Sequence, residues 1–365
     1  MSDIAKDSPE ACRAAAAQEW QHFCEKLKSA GDILLRPVAP VSDIDRAEGL
    51  RYLARITRLS LQLCFEHADP DFPVMLHAWN ETTKAGSDNP DNLYLSATVA
   101  GNREYRLWGH RGTAPGLRFS TYANRYSTGA GMVQTGSLRA RDMTFGPDGN
   151  FEVIVSREPR PGNWLALADD SRLLTVRQTF TVRSRETAAT VSIEQIGGPA
   201  TPKRLTVKSA RQALKGALTY LDHVVVRHAD KVAWFQARPN RLHLQEQTPF
   251  REEGGDPRTQ YMHGYWSLGE NEMLVLDTPV PECDAWNFQL NNYWMESLDY
   301  RYYPICVNSH GARYNTDGSV TLVIGAQDPG YGNFLHTAGH LQGMMMLRWT
   351  GATTHPVPST RVVKV

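Results

Sequence analysis

The chain has no surplus of charge of either sign. Its 39 basic and 39 acidic residues give a formal net charge of +0. The electrostatic footprint of a nucleic-acid or anionic-lipid binder is therefore missing. No apolar run approaches the ~20 residues that cross a bilayer. Cysteine is scarce: Cys12, Cys24, Cys64, Cys283 and Cys306 are an odd set, and no two form a CxxC. Free thiols in a reducing compartment fit that set, and a thiolate zinc site does not. The first residues show no basic region followed by an apolar block, so no secretory signal is read there. These absences set the expectation of a cytoplasmic protein with no membrane and no nucleic-acid partner. Reaction signatures are missing too. There is no GxSxG elbow, no P-loop, no GxGxxG after a strand, no kinase signature and no HExxH.

What is present is an ordinary globular composition, 41% hydrophobic and 21% charged, over 365 residues, a length that favours more than one domain. Helical periodicity opens the chain. Residues 8–30 place Ala16, Trp20, Phe23 and Leu27 on one face, with Ser8 as cap and Pro9 at the first position. A second helix, from Asp43 to about Glu66, is capped by Ser42 and carries Leu53, Ile56, Leu59 and Leu63, extended by Ile44 and Leu50. From His77 the period becomes that of strands: 93–99, 104–109, 117–123, 151–156, 173–182 and 188–196, punctuated by Pro-Asp-Gly and Pro-Gly-Asn turns. A long helix over 203–228 interrupts them, and a glycine-rich acidic loop, 251–257, reads as a lid or a solvated excursion. Strands resume at 261–268, 273–278, 285–290, 320–326 and 343–349.

The expected fold class is α+β and mainly β. It has antiparallel sandwich or jelly-roll-like domains, N-terminal helices and one long inserted helix. The expected regions are 1–75 (helical), 76–200 (first β region), 201–258 (helix and loop connection) and 259–365 (C-terminal β domain).

Polar side chains gather at the ends of these strands. Asp88-Asn89-Pro90-Asp91-Asn92 is a tight turn able to present two carboxylates and amides, or simply to cap its own backbone. His110, between Gly109 and Gly112, is positioned for acid–base work near neutral pH. The densest stretch is 283–349. It contains Asn291, Asn292, Tyr293 and Trp294, an Asp-Pro-Gly turn, Asn333, and the pair His336 and His340. On a helix, histidines four apart would share a face and chelate a metal. Gly339 lies between them, no glutamate occupies the zinc-protease position, and a third ligand (Asp91, His110 or His310) would have to come from elsewhere. No metal is therefore assigned, and a divalent cation stays the weaker alternative.

Several of these segments resemble the bacterial domain-of-unknown-function 1214 family. They are AWNFQL followed by NNYWMESLDYR, DGSVTLVIGAQDPG, and GNFLHTAGHLQGMMMLRW, with GSDNPDNLYLSATVAGNREYRLWGHRG and NWLALADDSRLLTVRQTF upstream. The resemblance implies a jelly-roll-type sandwich at the C-terminal end and no established activity. It also implies that Asp often stands in the place of His336, which weakens a metal held by two histidines.

The expected function is that of a cofactor-independent hydrolase or lyase acting on a small organic substrate. His340, His110, Asp91 and His336 are its acid–base candidates. Asn89, Asn92, Tyr293, Trp294, Asn333 and Arg348 would line the pocket or donate hydrogen bonds to the substrate. The alternatives are a jelly-roll module binding a glycan on aromatic platforms, or a homo-oligomer assembled through the N-terminal helices. In the enzyme reading, the 283–349 stretch forms one wall of the pocket, and the Asp88–Asn92 turn with His110 forms the other.

Overall fold

The computed structural model describes residues 9–125 and 131–365, with side chains from Arg13 onward. Ser8, read as a helix cap, lies outside the described residues. Two helices come first, α1 (Pro9–Ala30) and α2 (Asp43–Leu61). Ser42 caps α2, its hydroxyl oxygen accepting from the Asp45 N–H. A π-type turn, Gln62–Glu66, ends the helix. Of the stripe on α1, Phe23 is buried while Trp20 is 59% exposed. On α2, Ile56 and Leu59 are buried and Leu50 is exposed.

Nine strands follow: β1 (Leu76–Trp79), β2 (Asn92–Thr98), β3 (Tyr105–His110), β4 (Gly116–Arg125), β5 (Gly131–Arg139), β6 (Asn150–Ser156), β7 (Trp164–Ala166), β8 (Ser171–Thr179) and β9 (Thr190–Gln195). They form one sheet in the order β1-β2-β8-β4-β5 and another in the order β7-β6-β3-β9. Alternating side chains of both sheets, among them Leu107, Val153, Phe119 and Val176, build a shared core.

The inserted helix α3 (Val207–Gln236) is capped by Thr206. It runs eight residues past the end read from periodicity, because Ala229, Val232 and Phe235 prolong its buried face. Then come β10 (Arg241–Leu244), α4 (Thr248–Glu252), β11 (Thr259–Ser267), β12 (Glu272–Thr278), β13 (Ala285–Asn291), β14 (Cys306–Asn308), β15 (Val320–Gly325), β16 (Asn333–His336), β17 (Gln342–Thr350) and β18 (Ser359–Lys364). They make sheets β10-β11-β17-β13-β14 and β16-β15-β12-β18. Pairing is antiparallel except between β6 and β7 and between β15 and β16. The fold is thus mainly β, with four sheets, two N-terminal helices and the long helix α3. The sequence reading passes over β1, β5, β7, β10, β14, β16 and β18. Most of these are short edge strands, whose pairing comes from a neighbour and not from their own pattern. No helix among the described residues is long and apolar enough to cross a membrane.

The 251–257 loop is pinned. Glu253 pairs with Lys231 (2.9 Å) and Arg227 (2.7 Å), and Asp256 pairs with Arg118 (2.7 Å).

Strand alternation gives the second sandwich its two faces. Trp286, Phe288 and Leu290 of β13 and Met345, Leu347 and Trp349 of β17 enter its core. The opposite face carries Asn287, Gln289 and Asn291 on β13 and Met344 and Arg348 on β17. Helices cover part of that face: Tyr52 and Ile56 of α2 and Leu221, Val225 and Phe235 of α3 pack with Tyr265, Met344 and Trp294.

Gly49 sets how closely α2 can approach. A Cβ there would lie 2.5 Å from Leu34 Cδ2 and 2.6 Å from Trp294 Cζ2. Gly49→Ala should destabilise the fold by about 1–3 kcal/mol through overpacking, despite the ~1 kcal/mol that Ala gains over Gly in a helix. Urea unfolding measures this, and a midpoint at or above wild type would show that the helix shifts freely.

Two histidines, His228 half-buried on α3 and His263 buried on β11, should make the fold acid-sensitive. Burial, aided by the Lys231 charge, pushes His228 down to about 4, and burial holds His263 well below its usual value. A depressed histidine adds stability that is full above the unfolded pKa of ~6.5 and is lost as pH falls from there toward the folded value. The His228 contribution is about 3 kcal/mol in full. The stability difference between wild type and His228→Gln should therefore shrink between pH 7.5 and pH 5. A difference that does not change with pH would refute the assignment.

Candidate functional site

The residues singled out in the sequence separate into four places. The first is a polar seam between the two sandwiches. Asn89 Oδ1 and Asp91 Oδ2 accept from Asn287 Nδ2 (2.7 and 3.3 Å), and Asp91 Oδ1 accepts from Asn308 (3.2 Å). Asp88 receives the Ser297 N–H and hydroxyl (2.9 and 2.8 Å). Arg348 donates to Gln289 Oε1 (2.5 Å) and the Ser87 carbonyl (2.6 Å). Burial pushes the Asp88 and Asp91 carboxyls up and the Lys84 ammonium down. Every one of these groups is occupied by a protein partner. A crevice of about 10 Å³ beside them is lined by Asn89, Asn92, Tyr94, Arg183 and Tyr300. Asn92 itself turns toward the first sandwich, bridging Tyr94 and Thr179.

The second place is on the first sandwich. His110 ends β3 in the other sheet of that sandwich, exposed, its Nδ1 accepting from the Gly112 N–H (3.1 Å). Its hydrogen bonds among the described residues stay within its own sandwich, and none reaches Asp91 or His340. The third place holds structural groups. Asn333 clamps Arg313 and Thr321 through its amide. His336 caps its own turn by accepting from Ala338 N–H (2.8 Å) and stacks on Tyr303.

His336 and His340 share no helix face. His336 closes β16, and the chain then turns through Ala338 (φ 50) and Gly339 (φ 87), so the two rings diverge. A positive φ at each of two successive residues ends the strand and forbids a helix there.

The fourth place is the site. His340 is 4% exposed. Its Nδ1 bonds the Thr337 carbonyl (2.9 Å), which leaves Nε2 facing Glu48 Oε2 at 2.8 Å. Glu48 comes from α2 and also holds Asn292 Nδ2 (2.8 Å) and Arg51 (2.7 Å). One turn earlier on α2 stands Asp45, 2% exposed. Its Oδ2 takes the Ser42 hydroxyl (2.6 Å) and Gln342 (3.4 Å), and its Oδ1 has no hydrogen-bond partner among the described residues. A ligand atom from each of Asp45, Glu48 and His340 lies within 4.8 Å of the other two. Trp294 fixes the arrangement: its indole N–H donates to the Asp45 carbonyl (2.7 Å), and its ring stacks on Tyr52. Tyr293 packs beside it. Both aromatics are buried supports of the site.

The electrostatics follow from this packing. Burial raises the Asp45 carboxyl, only partly offset by Ser42 and His340. Burial would raise Glu48 as well, but the His340 hydrogen bond and charge, with Asn292 and Arg51, outweigh it and hold Glu48 below its usual value. For His340, burial pulls downward and the Glu48 bond and charge prevail, so its pKa is raised. Behind this trio, Asn292 also bonds Glu296, which pairs with Arg55 (2.7 Å). The arrangement can share and pass a proton, or hold a cation.

Sequence reading found His340 and missed Asp45 and Glu48. In the sequence those two are a capping residue and a helix-face acid, three apart near a helix start, a pattern that normally faces water. An apolar groove of about 570 Å³ between α1 and α2, lined by Leu27, Ala30, Leu53, Thr57 and Leu61, carries no acid–base group of this kind.

Comparison with curated proteins finds no match. Among solved structures, an uncharacterized protein from Burkholderia cenocepacia is 45% identical, with a TM-score of 0.91 over 95% of this chain and 97% of its own. The VPA0106 protein from Vibrio parahaemolyticus shares the fold at 11% identity, with a TM-score of 0.50 over 93% of this chain and 100% of its own. Residues 265–354 match the model described as Protein of unknown function (DUF1214). With that match and so close a relative over nearly its whole length, the chain belongs to the DUF1214 family.

Proposed function

We propose that this protein is an enzyme acting on a small polar organic molecule by acid–base chemistry, as a hydrolase or lyase, with Asp45, Glu48 and His340 as its reactive centre. The observation that carries this reading is the buried 2.8 Å contact of His340 Nε2 with Glu48, beside a carboxylate whose Oδ1 has no hydrogen-bond partner among the described residues. A buried carboxylate oxygen left unpaired costs ~1–3 kcal/mol or more, a cost that function accounts for more readily than packing does. The Thr337 carbonyl fixes the imidazole tautomer, so Nε2 is the nitrogen that meets a substrate proton. Arg51, 52% exposed at the edge of the centre, offers a cation to an acidic substrate group.

The test is a panel of small esters, amides and hydroxy acids assayed with wild type and His340→Ala. An acid–base role predicts a loss of about 10²–10⁴-fold in turnover. Equal turnover in the two proteins would remove the histidine from the chemistry, and no turnover by wild type on any member would favour the binding-module reading.

A further inference from the structure

We infer that the Asp45–Glu48–His340 cluster is a divalent-cation site, built for a first-row metal such as Mn²⁺ or Zn²⁺. The inference rests on the reading of this cluster as the reactive centre, yet its test needs no turnover, so the two can fail separately.

Three features support it. The first is spacing. Nitrogen and oxygen donors sit roughly 2.1 Å from such a metal, so neighbouring donors lie roughly 3–4 Å apart. The donor atoms of the trio all lie within 4.8 Å of one another, and the pair His340–Glu48 is already at 2.8 Å. Small side-chain rotations would place one ion among the three.

The second feature is the unpaired oxygen. A capping role for Asp45 accounts for its Oδ2, which meets Ser42. It leaves Oδ1 unexplained, buried without a partner among the described residues on a residue 2% exposed. If the cluster were only an ion-pair strut between α2 and the turn before β17, Glu48 and His340 would satisfy each other and Asp45 would be surplus. A cation gives the Asp45 carboxylate a counter-charge and balances two carboxylates facing one imidazole.

The third feature is the surrounding shell. Metal-bound histidines almost always donate their second ring N–H to an oxygen, and metal-bound carboxylates are held by outer donors. Here Thr337 accepts from His340, Asn292 and Arg51 hold Glu48, and Ser42 and Gln342 hold Asp45. One imidazole and two carboxylates suit Mn²⁺, Fe²⁺ or Zn²⁺ better than a soft thiophilic ion. Three protein donors leave coordination positions open, as catalytic metal sites do. On binding, the proton shared by His340 and Glu48 would leave to solvent; Nε2 would then be a ligand, and a water in an open position would take over the proton exchange that Nε2 performs without the ion.

The full chain, stripped with chelator and dialysed, is titrated with Mn²⁺ by electron paramagnetic resonance and with Zn²⁺ by calorimetry. The inference expects one equivalent bound per chain. It expects affinity to fall more than about 10-fold in Asp45→Asn and about 100-fold in His340→Ala. Circular dichroism checks that each variant folds. If His340→Ala does not, Asp45→Asn decides alone, because its amide keeps the Ser42 contact. Failure of both ions to bind wild type overturns the inference, and so does binding left unchanged in the folded variants, which would place the ions on surface histidines. If no ion binds while His340→Ala still abolishes turnover, the cation site fails and the acid–base reading stands. If an ion binds at the trio and turnover ignores His340, the opposite holds.

Discussion

A buried guanidinium has to be satisfied, and much of this architecture follows from where Arg348 stands. Alternation along β17 forces it onto the face opposite Met345, Leu347 and Trp349, away from the second sandwich's core. There it is 7% exposed. Water cannot serve it, so Gln289, Asn287 and the Ser87 carbonyl do. Ser87 can offer that carbonyl because Gly86 and Ser87 both take positive φ, which bends the 86–92 turn of the first sandwich onto the strand face of the second. Asp88, Asn89 and Asp91 then find Ser297, Asn287 and Asn308. The two sandwiches meet here through directional polar bonds, which specify one relative placement more sharply than apolar contact would.

The same face, further along, is apolar and receives the helices. Met344 and Tyr265 lie under α2 and α3, and Trp294 fills the gap that Gly49 leaves. That close contact brings the first turn of α2 to the β16–β17 turn. The positive φ values at Ala338 and Gly339 aim His340 inward at that point. Packing therefore brings Glu48 to a histidine 292 residues away.

This division also explains what could be read beforehand. Long strands with strict alternation, such as β13 and β17, were legible because one face is greasy and the other is not. Their polar members, Asn287 and Gln289, carried the information that a second polar surface must cover them, but nothing in spacing says which one. The Asp88–Asn92 turn was legible as a cluster and its partners were not. His340 stood out through the HTAGH pattern. Its true partners did not, because Asp45 and Glu48 look like any helix start. His110 misled because glycines on both sides of a histidine describe an exposed strand end as well as an active site.

One consequence concerns where chemistry and ancestry reside. The segment that defines the family, 265–354, contains His340 but neither acid of the centre. Those come from α2, more than two hundred residues earlier in the chain. Change confined to the first two turns of α2 could therefore rewrite or erase the proposed centre while every family-defining residue stays in place. Members alike across 265–354 need not share a chemistry, and the residues at the positions of Asp45 and Glu48 are the ones that sort them.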